Sequence, residues 1–180
     1  MNTIQTIKVR KSPETFLSNS LDRDDIQTIV EAGNYAPIFG KVHFTAITDA
    51  ALLDAINRIT IEMMKNSGNE FAEKLANTPG YSAVRNAQTF VVLSAPGGND
   101  EMGFNMANVS CAAENMILAA TELGIGSRFM MGPVMSLTQE PVQSRLALPD
   151  GYEPLVVVAI GYTDSALEER NKSIDNISYV

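Results

Sequence analysis

The chain has 180 residues, 45% of them hydrophobic, which is enough apolar sequence for the core of one compact domain over residues 1–180. Its formal net charge of -8 disfavours nucleic-acid partners, because a phosphate backbone repels an acidic surface. The single cysteine excludes an intramolecular disulfide framework, and no apolar run reaches the roughly 20 residues that a membrane-spanning helix needs. We therefore expect a single-domain cytoplasmic protein without nucleic-acid or membrane partners.

Helix patterns dominate the first half of the chain. Residues 3–9 form a short amphipathic pattern that runs into Arg10. The next predicted elements are helices from Asp22 to Pro37, over residues 51–64 and over residues 70–76, and a short strand over residues 44–48. Glycines near both ends of residues 66–81 make this segment a candidate mobile lid.

The second half contains two buried strands and a long apolar helix. Residues 90–93 are too short and too β-branched for a helix, and residues 155–161 are continuously hydrophobic, which indicates cover on both faces of a sheet. Residues 106–123 are apolar nearly all round and rich in small side chains. This helix is therefore expected to be buried, either at the centre of the domain or along a dimer seam. Cys111 lies in it without a cationic sequence neighbour, so we expect it to pack rather than to react.

Conventional catalytic motifs are missing from the sequence. His43 is the only histidine, and neither a Gly-x-Ser-x-Gly elbow nor a Walker-type loop is present. Residues 124–126 lack the third glycine of the dinucleotide fingerprint, and ligands are too few for a metal site. The polar cluster of Arg85, Asn86 and Gln88 either faces a ligand or caps the chain before a strand. We therefore expect the chemistry to come from a borrowed cofactor.

Two basic clusters lie at opposite ends of the chain. Arg10, Lys11 and Ser12 combine cations with a hydroxyl donor near the start, and Arg170 and Lys172 lie near the end. A bound phosphate dianion needs fixed cations and short donors, which these side chains supply. The sequence also permits a plainer interpretation, in which the first cluster is a solvated helix end and the second a solvated polar tail.

Several segments are informative as a set. They are Arg10-Lys11-Ser12 followed by Phe16, residues 31–37 ending in Ala-Pro, residues 114–127 ending in Leu-Gly-x-Gly-Ser, Leu148-Pro149 and residues 156–162. In order and spacing, over nearly the whole chain, they resemble the nitroreductase family of FMN-dependent NAD(P)H oxidoreductases. Residues 38–43 depart from the resemblance, because they are shorter than the corresponding family segment.

The resemblance implies an α/β (α+β) fold in which helices flank a central, mainly antiparallel sheet. It also implies an intertwined homodimer with two FMN sites at the interface, where Arg170 or Lys172 reaches across from the other subunit. The implied cofactor-binding residues are Arg10, Lys11, Ser12, Pro37, Ile38, Phe39, Met130, Met131, Gly132, Arg170 and Lys172. The methionines among them are flexible apolar side chains that could equally fill the core.

The resemblance further implies a two-step reaction. NAD(P)H delivers a hydride to flavin N5, and a nitroaromatic, quinone or enone acceptor then enters the same pocket. A backbone N–H near Met131 or Gly132 would donate to N5, and Phe39, Phe104 and Phe129 are the implied substrate contacts. Two other hypotheses remain, a flavin-binding sensor or storage protein and a dimeric interaction protein without a cofactor. The acceptor and the choice between NADH and NADPH stay open.

Overall fold

The computed structural model describes residues 1–98, 103–173 and 175–180. Its helices are α1 (Thr3–Val9), α2 (Arg23–Asn34), α3 (Ala50–Lys65), α4 (Glu70–Ala76), α5 (Phe104–Glu122) and α6 (Val134–Leu137), with a 3₁₀ turn over Gln143–Arg145. Its strands are β1 (His43–Ile47), β2 (Thr89–Pro96), β3 (Gly126–Met130) and β4 (Tyr152–Gly161). None of the helices in the described residues is both long and apolar enough to cross a membrane.

The strands form one antiparallel sheet in the order β1-β2-β4-β3. In the central pair, Val91 of β2 lies opposite Val158 of β4, and Val92 lies opposite Val157. Such cross-strand contacts between β-branched side chains stabilise the middle of a sheet. The sheet and its flanking helices confirm the predicted fold class.

Both faces of the sheet are covered, because successive side chains of the central strands enter two different hydrophobic cores. Val91 and Val158 belong to the core that includes residues of α2 and α5, whereas Val92 and Val157 belong to the core that includes residues of α3. All four valines are fully buried. This two-sided burial explains why β4 reads as a continuous apolar run in the sequence.

Most predicted elements are confirmed. The bounds of α4 are those predicted, and the other predicted helices and strands begin and end within a few residues of the prediction. The amphipathic pattern at residues 3–9 is a helix. Two short elements, β3 and α6, are absent from the sequence prediction. In β3, Gly126 and Arg128 interrupt the apolar pattern that identifies a strand.

The prediction that α5 is buried is met on one face within a single chain, and burial of the other face along a dimer seam stays a prediction. Its inner face is buried against the sheet and α2, but a strip that includes Ala107, Cys111 and Glu114 is exposed. Cys111, which was expected to pack, is an exposed free thiol. The hydrophobic pattern could not separate the two faces, because small side chains occur on both.

Candidate functional site

The predicted phosphate-binding triplet lies where α1 ends. Arg10 is the C-cap residue of α1, and its guanidinium Nη1 donates to Ser12 Oγ at 3.3 Å. The Arg10 side chain is 19% exposed, and its Nε lies 3.9 Å from a carboxylate oxygen of Glu114 on α5. Ser12 is exposed. Arg10 is therefore held in place while the hydroxyl beside it remains open to a ligand.

The C-terminal tail runs beside α1 in the same chain. The Arg170 guanidinium donates to the carbonyls of Ile7 at 3.2 Å and Lys8 at 3.4 Å, which are free acceptors at a helix C-terminus. Lys8 pairs with Glu169 at 2.7 Å. The tail thus lies against the helix that leads into Arg10. The described contact is intramolecular, whereas the resemblance implied that the tail crosses to the other subunit, and a joint phosphate site of the two basic clusters stays a prediction.

The remaining basic residues of the two clusters are less fixed. Lys11 Nζ lies 3.7 Å from a carboxylate oxygen of Glu168, and both side chains are partly exposed. Lys172 is exposed. Lys11 therefore lies close to Arg10 and Ser12, while a phosphate role for Lys172 stays a prediction.

A pocket of about 260 Å³ lies beside the end of β3. It is lined by Thr60, Met64, Leu75, Tyr81, Ala83, Arg85, Arg128, Phe129, Met130, Met131, Gly132 and Pro133. A Cβ atom added at Gly132 would meet nothing within 4 Å, so the backbone there is open to a flat group. The predicted flavin-contact residues Met130, Met131 and Gly132 and the predicted substrate contact Phe129 are thus brought together at one cavity.

Core packing and a turn hydrogen bond fix the backbone at the end of β3. Met130 is 9% exposed and belongs to the core on the α3 face, whereas Met131 is 56% exposed. The buried hydroxyl of Ser136 donates to the carbonyl of Pro133 at 2.7 Å, which fixes the turn after Gly132. Met130 is therefore a core residue at the pocket floor, as the alternative interpretation of the methionines allowed.

Two arginines of the pocket lining, Arg85 and Arg128, belong to a charged cluster that the sequence analysis did not predict. The carboxylate of Glu14 accepts from Nη1 of Arg85 at 3.3 Å and from Nη1 of Arg128 at 3.2 Å. Arg128 also donates to the Pro13 carbonyl at 2.9 Å, which ties β3 to the segment after Ser12. The sequence offered one sign that Arg128 has a special role, which is that a charged residue interrupts an otherwise uncharged segment.

Arg85 occupies a strained turn. Its φ is 57° and that of Asn86 is 59°, both in the left-handed region, which costs a non-glycine residue about 1–2 kcal/mol. The turn is held from two sides: the Arg85 carbonyl accepts the Phe16 N–H at 3.0 Å, and the Asn86 N–H donates to Ser82 Oγ at 3.1 Å. Gln88 Nε2 donates to the Asn86 carbonyl at 3.0 Å. Gln88 therefore has the capping role, and Arg85 has the pocket-facing role.

The other predicted site residues form a separate group. The rings of Phe39 and Phe104 stack at 6.1 Å with an interplanar angle of 25°. Phe39 and Pro37 are exposed and Ile38 is partly buried. None of these residues lines the pocket beside Gly132. Within one chain, the structure does not bring the aromatic pair to the predicted flavin-contact backbone.

A larger open groove lies between α2 and the sheet. Its volume is about 740 Å³, and its lining includes Arg23, Gln27 and Glu31 of α2 and Thr48 after β1. Its lining includes Gln88 of the polar cluster, but none of the residues that the resemblance implies for the cofactor or the substrate. Size alone therefore does not identify the functional pocket of this chain.

We found no cluster of potential metal ligands in the described part of the chain. Residues 1–98, 103–173 and 175–180 contain no group of three or more His, Cys, Asp or Glu side chains that could hold an ion. The ring of His43 makes an edge contact with Tyr152 at 6.2 Å between centroids. The chemistry at the candidate pocket is that of cationic side chains and open backbone.

Comparison with protein families gives a match over most of the chain. The model of the nitroreductase family matches residues 7–162. A curated protein of Archaeoglobus fulgidus, provisionally named an NADH dehydrogenase/NAD(P)H nitroreductase, is 26% identical over 164 residues, which cover 88% of this chain and 84% of that protein.

Solved structures with the same fold cover the chain from end to end. A nitroreductase of Bacteroides fragilis with bound FMN is 28% identical, with a TM-score of 0.85 and coverage of 100% of this chain and 99% of that one. A nitroreductase of Desulfitobacterium hafniense with bound FMN has a TM-score of 0.87 at 20% identity, with the same coverage. At that identity, the second likeness supports the fold alone.

Proposed function

The chain belongs to the nitroreductase family, and on that premise we propose that it is an FMN-dependent NAD(P)H oxidoreductase that reduces small electrophilic acceptors. The observation that carries the proposal is the pocket beside Gly132, where open backbone adjoins a cavity of about 260 Å³. FMN and NAD(P)H are the cofactors expected from the FMN-bound and NAD(P)H-dependent relatives. Nitroaromatics, quinones or enones are the acceptor classes that we propose.

The donor set of the chain fits the FMN phosphate. Arg10 and Ser12 lie side by side, with their polar atoms 3.3 Å apart, and Lys11 adds a second cation. A guanidinium and a hydroxyl are suited to phosphate oxygens, because charge-assisted hydrogen bonds are short and strong. We propose that Arg10 and Ser12 hold the phosphate and that Arg170, fixed on α1, supports them.

The pocket fits the ring of the same cofactor. Its lining includes two buried polar atoms, Thr60 Oγ1 and Arg85 Nε, that have no hydrogen-bond partner among the described residues. Buried polar atoms in native proteins are normally satisfied, so these atoms indicate that a ligand completes the site. A backbone N–H near Met131 or Gly132 is the proposed donor to the flavin edge.

When bound, FMN supplies the hydride chemistry: it takes a hydride from NAD(P)H and passes it to an acceptor, which also takes up a proton. The chain contributes binding and orientation. Phe129 and Met131 line the pocket, and the turn fixed by Ser136 limits how a flat molecule can approach the backbone at Gly132. No side-chain nucleophile is needed in this arrangement.

We propose that the active form is a homodimer. The aromatic pair Phe39 and Phe104 lies outside the pocket of its own chain, and the strip of α5 around Ala107 and Cys111 is exposed. A second copy seated on that strip would bury it, and would supply the missing aromatic wall if its Phe39 reached the pocket. The cytoplasm remains the proposed compartment, since a reducing environment suits a single unpaired thiol.

The visible absorption spectrum of the purified protein tests the proposal. We expect a flavin band that bleaches on anaerobic addition of NADPH or NADH and returns when a quinone or a nitroaromatic compound is added. Bound FMN that neither nucleotide reduces would favour the sensor or storage hypothesis. Colourless protein that fails to bind added FMN would refute the proposal and favour a cofactor-free dimer.

A further inference from the structure

We propose that Asn108 is a positioning residue for the acceptor. It fixes the loop at Phe39 so that the rings of Phe39 and Phe104, here called the aromatic face, stand in one arrangement beside the cofactor site of the partner subunit. The inference rests on the proposed function and the proposed homodimer. The cofactor ring keeps the cavity beside Gly132, and the acceptor lies outside that cavity, between the ring and the aromatic face.

The first argument is the use that the chain makes of a buried amide. Asn108 is 3% exposed, and its side chain accepts the Phe39 N–H at 3.0 Å and donates to the Phe39 carbonyl at 2.6 Å. Phe39 itself is 76% exposed, so its ring adds almost nothing to the core. Burying an amide is costly unless it is hydrogen-bonded, and here both bonds fix a residue that core packing does not need. Such fixing of an exposed side chain is typical of a binding site.

The loop backbone turns directly beside this amide. Gly40 has a φ of 119°, in the region that favours glycine. A Cβ atom added at Gly40 would lie 3.8 Å from Asn108 Nδ2, so the Asn108 side chain lies close to two successive residues of the loop. The position of Phe39 therefore depends both on the buried amide and on the glycine that follows.

The second argument is the aromatic face itself. The centroids of Phe39 and Phe104 are 6.1 Å apart and their planes are inclined by 25°, within the range of offset stacking. Phe104 is also exposed, at 42%. Two exposed rings in a fixed arrangement offer an apolar surface to a ligand. A flat aromatic molecule stacks on such a surface more closely than a puckered saturated ring does.

The third argument is the path of the exposed strip of α5. Phe104 lies at one end of the strip, which continues through Ala107, Cys111 and Glu114 at the three- and four-residue intervals of one helix face. At the other end, a carboxylate oxygen of Glu114 lies 3.9 Å from Arg10 Nε, in the proposed phosphate site. The two ends are about 15 Å apart along the helix.

A two-fold axis that crosses the strip between Ala107 and Cys111 would bring its two ends together across the dimer. In a two-fold dimer, each contact between one residue and another occurs twice, with the subunits exchanged. Two antiparallel copies of α5 would thus place Phe104 of each subunit beside Glu114 and Arg10 of the partner subunit. This arrangement explains why the aromatic face lies outside the pocket of its own chain.

The test compares two nitro compounds that differ in ring shape, nitrobenzene, which is flat, and nitrocyclohexane, which is puckered. Phe39→Ala removes the ring, Asn108→Ala removes the amide that fixes it, and a double variant combines both changes. Gly40→Ala displaces the same loop with Asn108 intact, and it replaces Asn108→Ala if that variant does not fold. Asn115→Ala is the matched control, because it removes another α5 amide that donates to a backbone carbonyl, that of Ala32.

Three quantities are measured on oxidised protein loaded with FMN. They are the dissociation constant of each probe by ligand-observed NMR, the dissociation constant of FMN, and the hydrogen-exchange rate of the Phe39 amide. We expect the preference for nitrobenzene, as the ratio of the two probe dissociation constants, to fall about fivefold in Phe39→Ala and in Asn108→Ala. The double variant should show no further fall, because Asn108 acts through Phe39.

The exchange rate shows whether the amide has the role that we assign to it. Asn108→Ala should speed exchange of the Phe39 amide, whereas Asn115→Ala should leave both this rate and the preference within twofold. Faster exchange with an unchanged preference would overturn the inference, because Asn108 would then be structural only. Additive losses in the double variant, or weaker FMN binding with an unchanged preference, would overturn it as well.

A heterodimer tests whether Phe39 acts on the other subunit. Arg10→Gln and Phe39→Ala subunits are co-expressed with different affinity tags, so that one site of each heterodimer combines an intact Arg10 with an intact Phe39 of the partner subunit. That site should recover the original preference for nitrobenzene. No recovery would overturn the inference, because Phe39 would then act within its own chain or not at all.

The binding measurements separate this inference from the proposed function, since binding needs no turnover. A protein that prefers nitrobenzene through Phe39 but does not reduce it with NADH or NADPH would refute the enzymatic proposal and leave the aromatic face supported. A protein that reduces nitrobenzene, and whose Phe39→Ala variant keeps the original preference, would refute the aromatic face alone.

Discussion

Asn108 holds the backbone of Phe39 with both ends of its side-chain amide. Its Oδ1 accepts the Phe39 N–H at 3.0 Å, and its Nδ2 donates to the Phe39 carbonyl at 2.6 Å. Asn108 is 3% exposed, whereas the ring of Phe39 is 76% exposed. A buried residue of α5 therefore fixes the backbone of an exposed aromatic residue, whose ring also stacks on that of Phe104.

Replacing Asn108 with alanine should lower the free energy of unfolding by about 1–3 kcal/mol, because two backbone groups lose their partner. Urea denaturation measures the change. Asn115→Ala is the control, since Asn115 makes a single bond of 3.2 Å to the Ala32 carbonyl, and it should cost about 0.5–1.5 kcal/mol. A smaller loss in Asn108→Ala than in Asn115→Ala would contradict the role of Asn108.

Arg10→Gln should weaken FMN binding about tenfold or more, because one charge-assisted hydrogen bond contributes about 1.5–3 kcal/mol. Titration of the apoprotein with FMN, followed by flavin fluorescence, gives the dissociation constant. Lys8→Gln is the matched control: it removes a cation from the same helix end, but Lys8 pairs with Glu169 and is 49% exposed. Similar losses in both variants would indicate a general charge effect instead of a phosphate site.

We expect alanine substitution at two glycines, Gly33 and Gly132, to have opposite effects on stability and FMN binding. A Cβ at Gly33 would lie 2.8 Å from Met116 Cγ, so Gly33→Ala must displace the buried Met116 side chain or move α2 from α5, and should cost about 1–3 kcal/mol of stability. A Cβ at Gly132 meets nothing within 4 Å, so Gly132→Ala should leave the melting temperature nearly unchanged and weaken FMN binding. Unaltered FMN affinity in Gly132→Ala would argue against the predicted ring position.

The acid stability of the protein should depend on Asp49. The backbone N–H of Leu52 and the Arg145 guanidinium lower the pKa of the Asp49 carboxyl, the first by capping α3 at 2.7 Å. Since its pKa is lower in the folded state, its contribution is complete near neutral pH and is lost as the pH falls below about 4.

Thermal melts between pH 3 and pH 7 measure this dependence. Asp49→Asn should lower the melting temperature near neutral pH and flatten its decline below pH 4. Asp54→Asn, which removes an exposed carboxyl from the same helix, is the control and should keep the wild-type profile. A profile for Asp49→Asn that falls as steeply as the wild type in acid would refute the assignment.

Cys111→Arg should weaken dimerisation at least tenfold if the exposed strip of α5 is the subunit seam, because an unpaired charge would be buried there. Sedimentation equilibrium gives the dissociation constant. Thr28→Arg places the same charge on the exposed surface of α2 and should not change it. A Cys111→Arg dimer as tight as the wild type would move the seam elsewhere.

Local signals predicted the elements that depend on local sequence. The bounds of α4 follow from turn residues on both sides of a short helical pattern, and β4 follows from its valine run. The strand β3 is stabilised by pairing with β4 instead, and its own residues carry little strand signal. The two faces of α5 could not be told apart for a similar reason, since their exposure depends on partners distant in sequence.

Some residues of the candidate site were predictable from local sequence, and others were not. The resemblance predicts binding roles for Arg10 and Ser12, which lie in a short recognisable segment, and for Gly132, which follows such a segment. The Glu14 cluster joins residues at positions 14, 85 and 128, which only the folded chain brings together. The left-handed backbone at Arg85 also has no sequence signal, since such turns usually carry glycine.

The attachment of the tail to α1 has a practical consequence for anyone who shortens this protein. The family match ends at residue 162, yet Glu169 and Arg170 contact the first helix and Glu168 pairs with Lys11 just after it. A truncation placed at the end of the matched region would release the helix terminus that leads into Arg10. We therefore expect a stable polypeptide to extend beyond the region by which its relatives are identified.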